Sequence, residues 1–224
     1  MKEKRTFYSE IAYITGLIVL AVGTAFMEKA NFGMSMVVSP AYIIHLKVSK
    51  FAPVFSFGMA SYVFQAFLLI ILVLTQRKFK KFYIFSFATA FIYGMILDAV
   101  ISIIGLIHLN GMVFRIIFYI VGLIVSSTGV AFLFHTYLPP EVYDLFVRET
   151  AAKWNIAIGK VKTTYDVSSC VLSIILSLIF FGAFVGIGWG TVVCAILNGF
   201  LIQKTGQLLE KIFDFKNALP LKLE

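Results

Sequence analysis

Charge is scarce in this 224-residue chain. Only 13% of its residues are Asp, Glu, Lys or Arg, about half of the roughly 25% carried by a soluble globular domain. With 60% of the residues apolar and a mean hydropathy of +0.95, an ordinary water-soluble fold is excluded. Cysteine is scarce too. Cys170 and Cys194 both fall in apolar runs, which excludes a disulfide framework and makes them small buried residues. The three histidines, His45, His108 and His135, are scattered and none has metal-ligand spacing, so no metal is expected. No nucleophile-and-base pairing is recognisable, so the chain is not expected to be an enzyme, although an intramembrane acid such as Asp98 keeps catalysis as the minority reading. The glycine run GIGWGT, Gly186 to Thr191, lacks the spacing and the preceding strand of a dinucleotide fingerprint, and no cofactor is expected.

What the chain has in abundance is long apolar runs. Crossing about 30 Å of hydrocarbon takes roughly 17–25 residues as a helix. Six runs qualify: Ile11 to Met27, Val54 to Thr75, Phe82 to Ile107, Val113 to Phe134, Thr164 to Ala183, and Trp189 to Gln203. The last is short, and is either tilted, partly unwound or continued into the polar stretch that follows. The basic start MKEKRTFYSE before the first run also has the outline of a signal peptide. A near-copy of that run deep in the chain argues for a retained helix instead. With the N-terminus in the cytoplasm, 15 of the 19 Lys and Arg residues fall on cytoplasmic segments. Only Lys29, Lys47, Lys50 and Arg115 fall outside, so the positive-inside rule predicts six crossings with both termini cytoplasmic. The net charge of +8 then serves topology and anionic lipid head groups, and needs no nucleic acid partner.

The near-copy is GLIVLAVGTAF, Gly16 to Phe26, against GLIVSSTGVAF, Gly122 to Phe132, with seven of eleven positions identical. A second match supports it. Ser86, Ala90, Gly94 and Asp98 share their four-residue spacing with Thr191, Ala195, Gly199 and Gln203, at an offset of 105 residues against 106 for the first pair. The reading is a duplication: residues 1–110 as one three-helix repeat, 111–206 as the second, and 207–224 as a cytoplasmic tail. Three crossings per copy invert the second relative to the first, a construction found in several secondary-transporter folds. Small residues spaced by four or seven share a helix face and suit close packing. They join two protomers as readily as two helices of one chain, so a homo-oligomer stays open.

Each half also carries a connection beginning with proline: SPAYIIHLK in the first, with Ser39 and Pro40, and LPPEVYDLFVRE in the second, where Pro140 starts a helix with Glu141 and Asp144 in its first turn. Such short helices are either interfacial or dip inward to line a cavity. The expected fold is thus all-α: six transmembrane helices as two inverted repeats, with short Pro-initiated helices in the connections.

Ionisable residues inside spans usually face a partner or a cavity. Asp98, well inside the third run, is the foremost candidate, with Arg115 across the turn HLNG as its charge partner, in a structural salt bridge or a site. Aligning Pro40 with Pro140 brings Gln65 opposite Asp166, so Gln65, Asp98, Asp166 and Gln203 come from equivalent helices and form a candidate substrate-binding set. Gly188 and Gly190, at the start of the last run, expose backbone N–H groups that suit an anion, while a tight turn explains them equally well.

The Ser39–Pro40 pair, GMILD ending at Asp98, PPEVYDLFVRE and GIGWGT together resemble the YczE/YitT-like group of bacterial integral membrane proteins. The resemblance implies a polytopic helical protein of the bacterial cytoplasmic membrane, and names no substrate. The leading functional expectation is a small secondary transporter or permease-like protein for a small solute or ion, with its cavity between the repeats. The alternative is a non-transporting scaffold that assists a partner through exposed features such as the segment Pro140 to Lys153.

Overall fold

In the computed structural model, residues 5–156 and 158–218 are described. Lys2, Lys4 and Lys222 of the charge argument, and the tail beyond residue 218, lie outside the described residues. The order of elements is β1 (Arg5–Tyr8), α1 (Ser9–Ala30), α2 (Ser39–Val48), α3 (Phe57–Gln76), α4 (Phe82–Gly105), α5 (Met112–Phe134), α6 (Val142–Trp154), α7 (Ile158–Phe181), α8 (Trp189–Ile212) and β2 (Phe213–Lys216). Six helices, α1, α3, α4, α5, α7 and α8, are long and apolar enough to cross a membrane. The protein is a helical, multi-pass membrane protein. The sixth run does not stop at Gln203 but continues to Ile212, taking up the polar segment after it.

Local chemistry sets the ends. The Ser56 hydroxyl accepts the Met59 N–H at 3.0 Å and so caps α3. Asn31, Arg77 and Asn155 adopt left-handed conformations that close α1, α3 and α6.

The described residues form two compact units, each drawing on both halves of the sequence. The first holds β1, α1, the end of α4, α5, most of α8 and β2. Here the two copies of the GLIV motif pack against each other. A Cβ on Gly23 would come within 2.7 Å of the Gly122 carbonyl oxygen, one on Gly122 within 2.8 Å of that of Gly23, and one on Gly129 within 2.8 Å of that of Gly16. The duplicated face therefore brings two backbones together where lipid gives no hydrophobic drive for association. β1 and β2 pair in parallel, Arg5 opposite Phe213 and Tyr8 opposite Lys216. The residues leading into α1 and those leaving α8 thus lie side by side.

The second unit holds α2, α3, most of α4, α6 and α7. α2 packs on α3 and α7, and α6 packs on the same two helices. At 10 and 13 residues, α2 and α6 are too short to cross. α6 is not laid on the surface either. Its start bonds to Gln65, the ninth residue of α3, while Lys153 near its end donates to the Thr75 carbonyl and Gln76 donates to the Glu149 carbonyl at 2.8 Å. It runs beside the second half of α3, so its first turn lies near the middle of that helix.

The glycine contacts have a direct test. Gly23→Leu and Gly122→Leu should each lower the melting temperature in detergent, an overpacking cost of about 1–3 kcal/mol or more. Gly199 of α8 has nothing within 4 Å of a built Cβ. Gly199→Ala should be neutral or stabilising by up to about 1 kcal/mol, because it removes only helix-interior glycine entropy.

Candidate functional site

Gln65 is fully buried on α3, and its amide is used at both ends. Its Oε1 accepts the Val142 backbone N–H at 3.0 Å, and its Nε2 donates to Glu141 Oε2 at 2.9 Å. One side chain thus satisfies an N–H that α6 leaves without an intrahelical acceptor and also holds the carboxyl that precedes the helix. Glu141 is only 6% exposed. Burial, and after it the charge of Asp144 one turn away, raises its carboxyl above the usual carboxylate range, while the Gln65 amide works in the opposite direction.

The first turn of α6 carries the rest of the cluster. The Tyr143 hydroxyl is enclosed, and burial keeps it a neutral phenol. Ser61 lies beside it without meeting hydrogen-bond geometry. Lys162 of α7 stands 3.6 Å from both Asp144 Oδ1 and Asp166 Oδ1. The side chains of all three are partly solvent-exposed, so these pairs position more than they stabilise. The outcome is a buried carboxyl on a neutral amide, with the acid Asp144 one turn along α6 and a partly screened cation, Lys162, beside a second acid, Asp166, on α7.

The structure treats the residues read from the sequence in different ways. Gln65 and Asp166 are linked through the first turn of α6, by way of Glu141, Asp144 and Lys162. Asp98, also in this unit, accepts the Gly58 N–H at 2.7 Å and the Ser56 hydroxyl at the start of α3. That makes it a capping carboxylate at a helix N-terminus, where negative charge is favoured. Gly58 has no room for a side chain, since a Cβ would meet the Asp98 carboxylate at 2.6 Å. Gly188 and Gly190 cradle the segment after α1: the Gly190 N–H donates to the Phe32 carbonyl at 2.7 Å, and the Met34 N–H to that of Gly186 at 3.2 Å. A Cβ on Gly188 would come within 2.5 Å of the Phe32 oxygen. Arg115 and Gln203 belong to the other unit. Arg115 donates to the carbonyls of Ala30 at 2.9 Å and Asn31 at 3.1 Å, closing the C-terminus of α1, and Gln203 is exposed on α8.

Glu141, Tyr143 and Lys162 were not among the residues singled out as a site from the sequence. The signal available was an acid directly after Pro139–Pro140, in a connection too apolar to be a plain surface loop. A polar pair in the first unit, the Ser127 hydroxyl 2.9 Å from Asn198 Oδ1, also had no marker beyond an asparagine inside an apolar run.

A model described as a family of unknown function, DUF6198, matches residues 7–206. The chain belongs to this family. No curated protein and no solved structure matches it.

Two substitutions report on the cluster. An unfolded glutamate ionises near pH 4.3, and the raised folded value means that the native state keeps its proton when the unfolded chain has lost it. Stability from this group is therefore complete at acid pH and is lost as pH rises through the folded value. Melting temperatures of the wild type should fall between about pH 5 and pH 9, and Glu141→Gln, which keeps the acceptor for Gln65 but cannot ionise, should flatten that slope; an unchanged slope would assign the titration elsewhere. Separately, Asp98→Ala strips acceptors from the Gly58 N–H and the Ser56 hydroxyl and should cost about 1–3 kcal/mol, read as a lower melting midpoint.

Proposed function

We propose that this protein is a small secondary transporter or permease-like protein, moving a small solute or ion with proton exchange at Glu141. The observation that carries the reading is the buried Gln65–Glu141 pair at the start of a half-length helix. Transporters of several folds build their sites where such discontinuous helices end near mid-depth, because helix ends offer unsatisfied polar groups there. The site joins α3 of the first sequence half to α6 and α7 of the second. The inverted duplication is supported by reciprocity: α2 lies on α7 and α3, and α6 lies on α3 and α7. The positive-inside distribution supports both termini in the cytoplasm, and the YczE/YitT-like resemblance supports a bacterial cytoplasmic membrane. The cluster contributes a carboxyl, a neutral amide, a phenol and one ammonium, a set suited to a small polar solute and poor in groups for a large apolar one.

The test is reconstitution in liposomes under an imposed pH gradient, with internal pH followed while amino acids, short carboxylates and small organic cations are added in turn. A solute-dependent proton flux in the wild type that disappears in Glu141→Gln, at equal reconstitution and with the fold intact, is the expected result. Solute flux that keeps its pH dependence in Glu141→Gln would sink the assignment of the proton site. No flux with any of the three classes would favour the scaffold.

A further inference from the structure

We infer that the groove between α3, α6 and α7 binds an anionic glycerophospholipid, its acyl chain along α7 and its headgroup against Lys160. The groove has a volume of about 430 Å³, within the range of small-molecule sites. Phe64 and Leu68 of α3, Phe146 of α6 and Leu172 of α7 make its walls apolar. A more open depression shares Lys160, Thr164 and Ser168 with it. Those three residues recur every fourth position and so share one face of α7. From Lys160 to Leu172 the helix rises about 18 Å at 1.5 Å per residue, more than half of a roughly 30 Å hydrocarbon layer.

The two ends of the groove differ in chemistry as the two ends of a lipid do. At one end Trp154 is exposed, with the Lys153 ammonium 5.5 Å from its ring centre. Trp and Lys together mark the membrane–water boundary. Lys160 lies at this end, exposed, and has no acidic partner among the described residues, whereas Lys162 two residues on is held by Asp144 and Asp166. At the other end only apolar and hydroxyl side chains remain. A membrane lipid is favoured over a soluble anion because the long dimension of the groove runs along a spanning helix and is walled by apolar residues. The site is independent of proton exchange at Glu141 and stands whether or not that carboxyl serves transport.

The experiment uses the full chain in nanodiscs of phosphatidylcholine doped with phosphatidylglycerol, with bound lipid counted by native mass spectrometry. Wild type should retain one phosphatidylglycerol in preference to phosphatidylcholine. Lys160→Gln should weaken that preference about fivefold, the equivalent of the roughly 1 kcal/mol that one cation contributes at an anionic surface, and Lys211→Gln, on α8, should leave it unchanged. Thr164→Trp fills the groove from its exposed side and should displace both lipids; if it fails to fold, Ser168→Phe serves the same purpose. Undiminished phosphatidylglycerol retention in Lys160→Gln, or in a folded groove-filling variant, would overturn the inference. So would equal competition by millimolar inorganic phosphate, which would identify a soluble anion as the ligand.

Discussion

A helix that ends inside hydrocarbon leaves backbone N–H and C=O groups with no water to meet them, at several kcal/mol for each unsatisfied group. In this protein α2 and α6 begin at buried positions, and much of the buried polar chemistry is devoted to those starts. Gln65 takes the Val142 N–H. The Thr89 hydroxyl of α4 lies 3.2 Å from the Pro139 carbonyl just ahead of α6. The loop after α1 is held by backbone bonds from Met34 to Gly186 and from Gly190 to Phe32, and Pro40 in the first turn of α2 removes one donor at no cost. Once these demands are met by side chains and glycines, the short helices can start at buried positions, and a carboxyl can be carried there with them.

The parts of the fold that follow from local rules were legible in the chain. Six apolar runs became six long helices, because nothing but a helix satisfies an isolated apolar segment in a bilayer. The glycines of the duplicated motif were readable as a packing face, and they meet one another across α1 and α5. What escaped was anything fixed by partners far apart in sequence. Glu141 reads as an acid in the first turn of a helix, where dipole and solvent explain it, and only its bond to Gln65, 76 positions away, reveals a buried carboxyl. β1 and β2 were illegible for the same reason: four residues each, at opposite ends of the chain, gain a partner only after all the helices between them have formed.

The two halves resemble each other in sequence more than in the duties of matching positions. Gly94 of α4 lies against α3, where a Cβ would meet the Gly58 carbonyl oxygen at 2.8 Å, whereas its counterpart Gly199 of α8 is exposed with nothing near it. Asp98 closes the start of α3, and its counterpart Gln203 lies on an exposed face. The matched glycines of α1 and α5 thus share a packing role, whereas the matched positions of α4 and α8 do not.

The same divergence sorts the carboxyls. Asp98 has a backbone N–H on one oxygen and a hydroxyl on the other, both at a helix start, so it serves as a cap. Glu141 accepts from the Gln65 amide, has no cation directly on it among the described residues and has the acid Asp144 one turn away. Protonating it relieves a buried charge and leaves the Gln65 bond intact, since a protonated carboxyl still offers a carbonyl oxygen. Of the two acids set within the apolar part of this unit, the one inside the span thus closes a helix start, and the one in the connection between spans is the one that burial and Asp144 push toward its neutral form.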